Sequence, residues 1–180
     1  MKSILLSALI SATISSAALA NDFTLTSTDV AEGKTLSSAQ ILNGFGCTGG
    51  NKSPQLSWSA PPAGTKSFVL TVYDPDAPTG SGWWHWVVFN IPASARSLDT
   101  DASAHGTLPT GAVESRTDFG KPGYGGACPP PGKAHRYIFR LTALSTDKLD
   151  LDANASPALV GFSINASRLG ETSIKAVYGR

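Results

Sequence analysis

Four short segments hold most of the residues able to bind or move charge. They are Asp74-Pro75-Asp76-Ala77-Pro78, Trp83-Trp84-His85-Trp86, Gly123-Tyr124-Gly125-Gly126-Ala127-Cys128-Pro129-Pro130 and His135-Arg136-Tyr137. His85 is the odd residue at the start of an apolar run from Trp84 to Ile91, and strand alternation puts it on one face with Trp83, Val87 and Phe89. A partly buried imidazole needs partners for both nitrogens, and Asp74, at the exit of another apolar run, is a candidate for one of them. His135 and Tyr137 are two apart at the head of a third run, so their side chains share a face. Two imidazoles, a carboxylate, a phenol and glycine-rich backbone amides would make a pocket for a small oxyanion. The competing reading of His85 is a satisfied core histidine. His105, in a loop-like stretch, reads as solvated.

Other chemistries fail on context. Gly50-Asn51-Lys52-Ser53 imitates the tail of a phosphate-binding P-loop, but Pro54 follows where the helix should begin, and Asn51 separates Gly50 from Lys52 so that this stretch has no Gly-Lys pair. Leu108-Pro109-Thr110-Gly111 lacks the variable position and hydrophobic tail of a sorting signal. Neither a Gly-x-Ser-x-Gly elbow nor a His-Glu-x-x-His helix is present, and no spacing promotes a Ser-His-Asp triad. A hydrolase would need an activated nucleophile beside His85 or His135, and none is evident. Asp74, His85 and His135 would be a legitimate three-ligand zinc set, which leaves a metal as the alternative to an anion. Asn154-Ala155-Ser156 and Asn165-Ala166-Ser167 match glycosylation acceptors by chance, the second on an expected helix. The residues therefore read as a binding site rather than an enzyme, with no cofactor implied.

The elements that must position these residues are mostly strands. Phe23 to Ser27 alternates; Phe68 to Tyr73 is apolar on both faces, as a covered strand should be; Trp84 to Ile91 and Tyr137 to Leu144 follow, the latter with Tyr137, Phe139, Leu141 and Ala143 on one face. Thr172 to Tyr178 reads as a terminal strand. The run ending at Asp74 is stopped by prolines that neither a helix nor a central strand tolerates. One helix is expected, capped by Ser156, begun at Pro157, carrying Leu159, Phe162, Ala166 and Leu169 on its apolar stripe, and stopped by Gly170. Several strands with one clear helix, no internal repeat and no linker predict a mainly β, antiparallel architecture in a single domain over residues 21–180.

The chain has 180 residues, 41% hydrophobic and 15% charged, a composition that excludes a disordered tail and fits one domain with a sizeable core. Its 14 Lys and Arg against 13 Asp and Glu give a formal charge of +1, so no global electrostatic argument favours nucleic acid. Residues 1–20 read as a cleaved signal peptide: Lys2 leads a mostly apolar stretch, and Ala18-Leu19-Ala20 forms a small-x-small site before Asn21. Ser7, Ser11, Thr13, Ser15 and Ser16 interrupt it too often for a membrane span. The expected location is periplasmic or secreted. In an oxidising compartment Cys47 and Cys128 are expected to pair, with two unrelated buried thiols as the alternative.

Taken together, the four segments resemble the phosphatidylethanolamine-binding protein family, also called Raf-kinase-inhibitor-like proteins, and its exported bacterial YbhB/YbcL branch. Asp-Pro-Asp-Ala-Pro, Trp-x-His-Trp and Pro-Pro-x-Gly followed by His-Arg-Tyr occur in the family's order, and the resemblance runs from Ser53-Pro54-Gln55-Leu56-Ser57-Trp58 to the last strand. It implies an antiparallel β-sandwich with a few peripheral short helices, and a small cavity for phosphate-like anions and phospholipid head groups. Carried over by position, Asp74 sits in the pocket with Ala77 and Pro78 on its rim, Trp83 as an apolar wall and His85 as a donor. Tyr124 and the Gly126 backbone match the family's loop, Pro130 lines the cavity, and His135 and Tyr137 complete it, with Arg136 supporting from the other face. The alternative that the resemblance carries is a protein-interaction module acting as a protease or kinase inhibitor. Three departures stand out. Ala127 replaces a common proline, Pro131 adds a third proline before Gly132, and little chain follows Tyr178, so a more open pocket without a long C-terminal helix is expected.

Overall fold

The computed structural model describes residues 22–180, so the expected signal segment lies outside the described residues. Ten strands form: β1 (Thr24–Thr26), β2 (Asn43–Gly44), β3 (Cys47–Thr48), β4 (Leu56–Ser59), β5 (Ser67–Asp74), β6 (Trp83–Pro92), β7 (Ser97–Leu98), β8 (Val113–Glu114), β9 (His135–Leu144) and β10 (Arg168–Tyr178). Two short helices accompany them, α1 (Ala102–His105) and α2 (Pro157–Ile164). The long apolar runs become the centre of a five-stranded antiparallel sheet in the order β10-β9-β5-β6-β8. A three-stranded sheet, β1-β4-β7, packs across one face, and β2-β3 is a separate hairpin.

Both faces of the large sheet are covered, which is why β5 and β6 read as continuous apolar runs rather than alternating ones. On one side Leu25, Leu56, Trp58 and Leu98 of the small sheet meet Phe68, Leu70, Val72, Trp86, Val88, Phe139 and Leu141. Trp58 meets Phe68 edge-on at 5.5 Å between ring centroids. On the other side Val69, Val87, Phe89 and Leu144 pack under Leu149, Ala155 and the Val160 and Ile164 side chains of α2. The mainly β sandwich with peripheral helices is thus the observed architecture.

The two polar interruptions of the β6 run mark two β-bulges. Val72 pairs with Trp86 but Tyr73 pairs with Trp84, so His85 is an extra residue on β6. Phe68 pairs with Ile91 and Leu70 with Val88, which leaves a second extra residue around Asn90. Asn90 adopts a left-handed φ of 57°, and its amide is bonded in both directions to the backbone of Leu149. The first bulge overturns a sequence expectation. Val87 and Phe89 face α2, while His85 and Trp86 both turn toward the opposite side.

The helix starts as expected, with Ser156 Oγ accepting from the Leu159 amide at 3.2 Å and Pro157 in the first turn. It stops at Ile164, five residues before Leu169, because Arg168 and Gly170 pair with Leu144 and Ala143 of β9. Its buried face is also a different one: Pro157, Val160 and Ile164 point inward, while Leu159 and Phe162 are exposed, Phe162 at 77%. The helix is apolar nearly all round, so contact with the sheet, not periodicity, selects the face. Phe162→Gln is accordingly expected to change unfolding free energy by less than about 0.5 kcal/mol in urea titrations, as exposed positions do. A loss above about 2 kcal/mol would return Phe162 to the core.

Candidate functional site

Proline at position 75 ends β5 and leaves Asp74 at the strand's edge, and the β6 bulge swings His85 to the same side. On the far flank of β5, strand β9 opens with His135 and Tyr137. Adjacent strands thus deliver four functional side chains to one end of the sheet. There they line a cavity of about 140 Å³, well under the roughly 300 Å³ at which drug-sized sites begin. Ala77, Pro78 and Thr79 form one rim; Trp83 and Phe119 form an apolar wall; Leu42, Phe45, Gly126, Cys128, Pro129 and Pro130 close the rest.

The polar floor is tightly wired. Asp74 and His135 are both buried, and His135 Nδ1 donates to Asp74 Oδ2 at 2.7 Å while the amide of Asp76 donates to Oδ1 at 2.8 Å. Asp74 therefore orients His135, not His85 as the sequence had suggested. The reason is the pairing of β9 with β5, whose last register pair is Tyr73 with Ile138, so that the first residues of β9 run on past the end of β5, where Asp74 stands. His85, 4% exposed, instead donates from Nδ1 to the carbonyl of Gly125 at 2.8 Å, and the Gly125 amide returns a bond to the His85 carbonyl at 2.9 Å. Those acceptors assign the proton of both rings to Nδ1, which leaves Nε2 of each as the free nitrogen. Burial pushes His85 below the ordinary imidazole range, opposed by the Gly125 carbonyl and by the charge of Asp74.

Tyr137 is 2% exposed and lies 5.2 Å from His85, ring to ring, nearly perpendicular. Its hydroxyl is buried and has no hydrogen-bond partner among the described residues, and burial followed by the Asp74 charge raises its pKa. Such a group costs free energy unless something joins it. Arg136, between these two on β9, faces outward and grips Asp76 with Nε to Oδ2 at 2.8 Å and Nη2 to Oδ1 at 2.7 Å. That pair holds the Asp76 carboxyl far below its usual range and fixes the turn after Asp74 from outside.

Two expected pocket residues do other work. Tyr124 does not line the cavity: its hydroxyl donates to the Gln40 carbonyl at 3.0 Å and its ring meets Trp86 edge-on, so it supports the wall from behind. Burial drives its pKa upward. Gly126 does line the cavity, but its amide already donates to Asn51 Oδ1 at 2.7 Å. Its glycine is required by packing, since a Cβ there would strike the backbone of Gln40, Ile41 and Leu42.

Sequence reasoning missed Phe119 and Phe45. Phe119 stands edge-on to Trp83 at 5.3 Å and to His85 at 5.5 Å, and Phe45 stacks on it at 6.0 Å. Both are single aromatics set among turn glycines, Gly44-Phe45-Gly46 and Phe119-Gly120, a signal that was available. Leu42, Phe45 and Phe119 also separate the cavity from a second one lined by Asn51, Lys121 and Tyr124. Cys47 and Cys128 form the expected disulfide, with Cα atoms 6.0 Å apart. Among the described residues no three His, Cys, Asp or Glu side chains are grouped to hold a metal ion, since Asp74 is turned onto the Nδ1 of His135. His105 is exposed at the end of α1, as a solvated histidine should be.

Both the sequence and the fold have counterparts among known proteins. The family model described as phosphatidylethanolamine-binding protein matches residues 26–179. The UPF0098 protein YbcL of Escherichia coli strain K12 is 52% identical over 181 residues, covering 99% of this chain and 98% of that protein. YbhB of the same strain is 51% identical over 155 residues, covering 86% of this chain and 98% of its own length. The crystal structure of E. coli YbcL, described there as a new member of the mammalian PEBP family, superposes with a TM-score of 0.86 over 89% of this chain and 99% of that one. With a family match across nearly all of the described residues and half of all positions shared with full-length relatives, the chain belongs to the phosphatidylethanolamine-binding protein family.

Proposed function

We propose that this protein is an exported, single-domain, non-catalytic binding protein that holds a phosphate-like anion or a phospholipid head group. Membership of the family supports a ligand-binding or interaction protein. The observation that carries the finer reading is the buried hydroxyl of Tyr137, left unpartnered beside two imidazoles whose Nδ1 atoms are already engaged. An oxyanion would accept from that hydroxyl and from Nε2 of each ring, in a cavity whose remaining walls are largely apolar. The apolar mouth suits a ligand whose anionic end is attached to a hydrocarbon portion. Apart from Tyr137, the hydroxyl-bearing residue on the cavity wall is Thr79, whose Oγ1 donates to the Gly82 carbonyl instead of to an imidazole. That arrangement supports binding over nucleophilic catalysis. Export rests on the reading of residues 1–20 as a signal peptide and places the site in the periplasm or beyond the cell. No helix among the described residues is long and apolar enough to cross a membrane.

Protonation and binding are coupled in this reading. Burial disfavours the charged form of His85, and its neutral ring with Nδ1–H offers only an accepting Nε2. To donate to an anion it must gain a proton, so the bound state has the higher pKa and binding takes up protons. Affinity therefore rises as pH falls through the bound-state pKa, and levels off only below the free-state value, which burial lowers from the ordinary imidazole value of about 6.5. Calorimetric titration with sulfate, whose charge is constant in this range, is expected to show binding at least about tenfold tighter near pH 5.5 than near pH 8. Phosphate and phosphoethanolamine are expected to compete with it. Equal sulfate affinity at the two pH values would remove the histidines from the site.

A further inference from the structure

We propose that Arg180 and the Cys47–Cys128 disulfide are positioning groups that clamp two walls of the anion cavity together, so that anion affinity and the redox state of the disulfide are coupled. The inference rests on the anion-binding reading given above. One wall is the β2-β3 hairpin, which carries Phe45 at its tip; the other is the Gly126–Pro130 segment. Neither belongs to the large sheet. The hairpin pairs through only two residues on each strand, too few to hold its shape alone. Its two turn residues, Phe45 and Gly46, both have positive φ, at 52° and 83°. Such turns favour Asn, Asp or Gly at the position Phe45 occupies, so an aromatic side chain persists there only because its surroundings hold it.

Those surroundings are two ties across the cavity mouth. The disulfide joins Cys47, at the start of β3, to Cys128, which itself lines the cavity next to Pro129. Beside it the Arg180 guanidinium donates from Nε to the Pro129 carbonyl at 2.7 Å, from Nη1 to Gly46 at 3.3 Å and from Nη2 to Phe45 at 3.3 Å. One planar fork thus holds three carbonyls on both walls, a geometry that the point charge of lysine does not reproduce. With the disulfide opened, the two walls stay joined at the hairpin base, where the Leu42 amide donates to the Ala127 carbonyl at 3.0 Å and the Ala127 amide to the Gln40 carbonyl at 3.2 Å, while the tip keeps only Arg180 and the stacking of Phe45 on Phe119. The tip is then free to leave its strained conformation and to widen the mouth.

Reduction is a two-electron exchange: a dithiol reductant passes two electrons and two protons to the Cys47–Cys128 bond, giving two thiols and its own cyclic disulfide. If the oxidised protein binds the anion tenfold more tightly than the reduced one, linkage requires saturating anion to lower the reduction potential by about 30 mV. A disulfide that serves only global stability, in a reduced chain that stays folded and binds equally well, shows no such shift.

The test is titration of phosphate into the full chain, oxidised and dithiol-reduced, with near-ultraviolet circular dichroism of the tryptophans reporting the fold. Alongside it, the disulfide midpoint is measured against a dithiothreitol redox couple with and without saturating phosphate. Reduction is expected to weaken binding about tenfold, and Arg180→Ala about fivefold with the disulfide intact; Arg180→Lys is not expected to restore it. Equal affinities in folded oxidised and reduced protein, or a midpoint that phosphate leaves unmoved, overturn the coupling and leave the anion reading standing. If the reduced chain loses its tryptophan signal, the oxidised Arg180→Ala variant decides, and unchanged phosphate affinity there overturns the clamp. Absence of phosphate binding by the oxidised wild type overturns the anion reading and the clamp with it.

Discussion

The His85→Ala/His135→Ala double variant is expected to lose phosphate affinity by two orders of magnitude or more. Each imidazole contributes a charge-assisted hydrogen bond to the anion, and bonds of that kind are worth about 1.5–3 kcal/mol. Together they amount to about 3–6 kcal/mol, or roughly 10²- to 10⁴-fold in the dissociation constant. Removing His135 also strips Asp74 of the donor at its Oδ2, so a buried carboxylate is left facing the space the anion would occupy. The single variants separate these effects. His85→Ala preserves the Asp74–His135 pair and is expected to retain weakened binding, whereas His135→Ala is expected to be the more damaging of the two. Isothermal titration with phosphate near neutral pH checks all three. A double variant within threefold of the wild type would mean that the cavity floor is structural and that the ligand, if any, binds elsewhere.

Loss of the disulfide is expected to have the largest effect on stability. The bridge closes a sequence separation of 81 residues, and the chain-entropy model puts its contribution at about 4–5 kcal/mol. For the Cys47→Ser/Cys128→Ser variant at a urea dependence of about 2 kcal/mol per molar, the unfolding midpoint should fall by about 2 M. Against a typical total of about 5–15 kcal/mol, that is a large share. A fall below about 0.5 M would show that the unfolded chain is already constrained between the two positions, or that the bridge is strained in the native state.

The strands that carry the site were legible because each is a long apolar run, covered on both faces and ended by proline or a polar turn. The facing pair His135 and Tyr137 followed from simple alternation, since β9 is regular there. His85 was legible as the odd residue but not in its direction, because a bulge reverses the alternation and bulges leave no fixed signature in one strand alone. The same limit hid the partner of Asp74: which histidine it meets depends on β9 lying beside β5, a pairing 61 residues apart in the chain. Phe45 and Phe119 escaped because turn residues carry no period to read. The helix was recognised by its cap and first proline, but its face and end were set by packing and by the competing pull of β9 on Arg168 and Gly170. Tyr124 and Gly126 were placed by resemblance to a motif, which transfers a segment more dependably than the direction of each group within it.

The strand order bears on when the site comes into existence. Strands β5 and β6 are joined by a short connection and pair as neighbours in the chain, so their hairpin can close early, within microseconds by the usual scale for such elements. The cavity needs β9 as well, and β9 must find the other flank of β5 across a long intervening stretch before His135 reaches Asp74. Closing that loop carries an entropic cost that only the completed central sheet offsets, which makes it a late and slow event. Ligand capture is therefore expected to report on completed folding: a chain caught partway, with its first hairpin formed, would already present His85 and yet have no site.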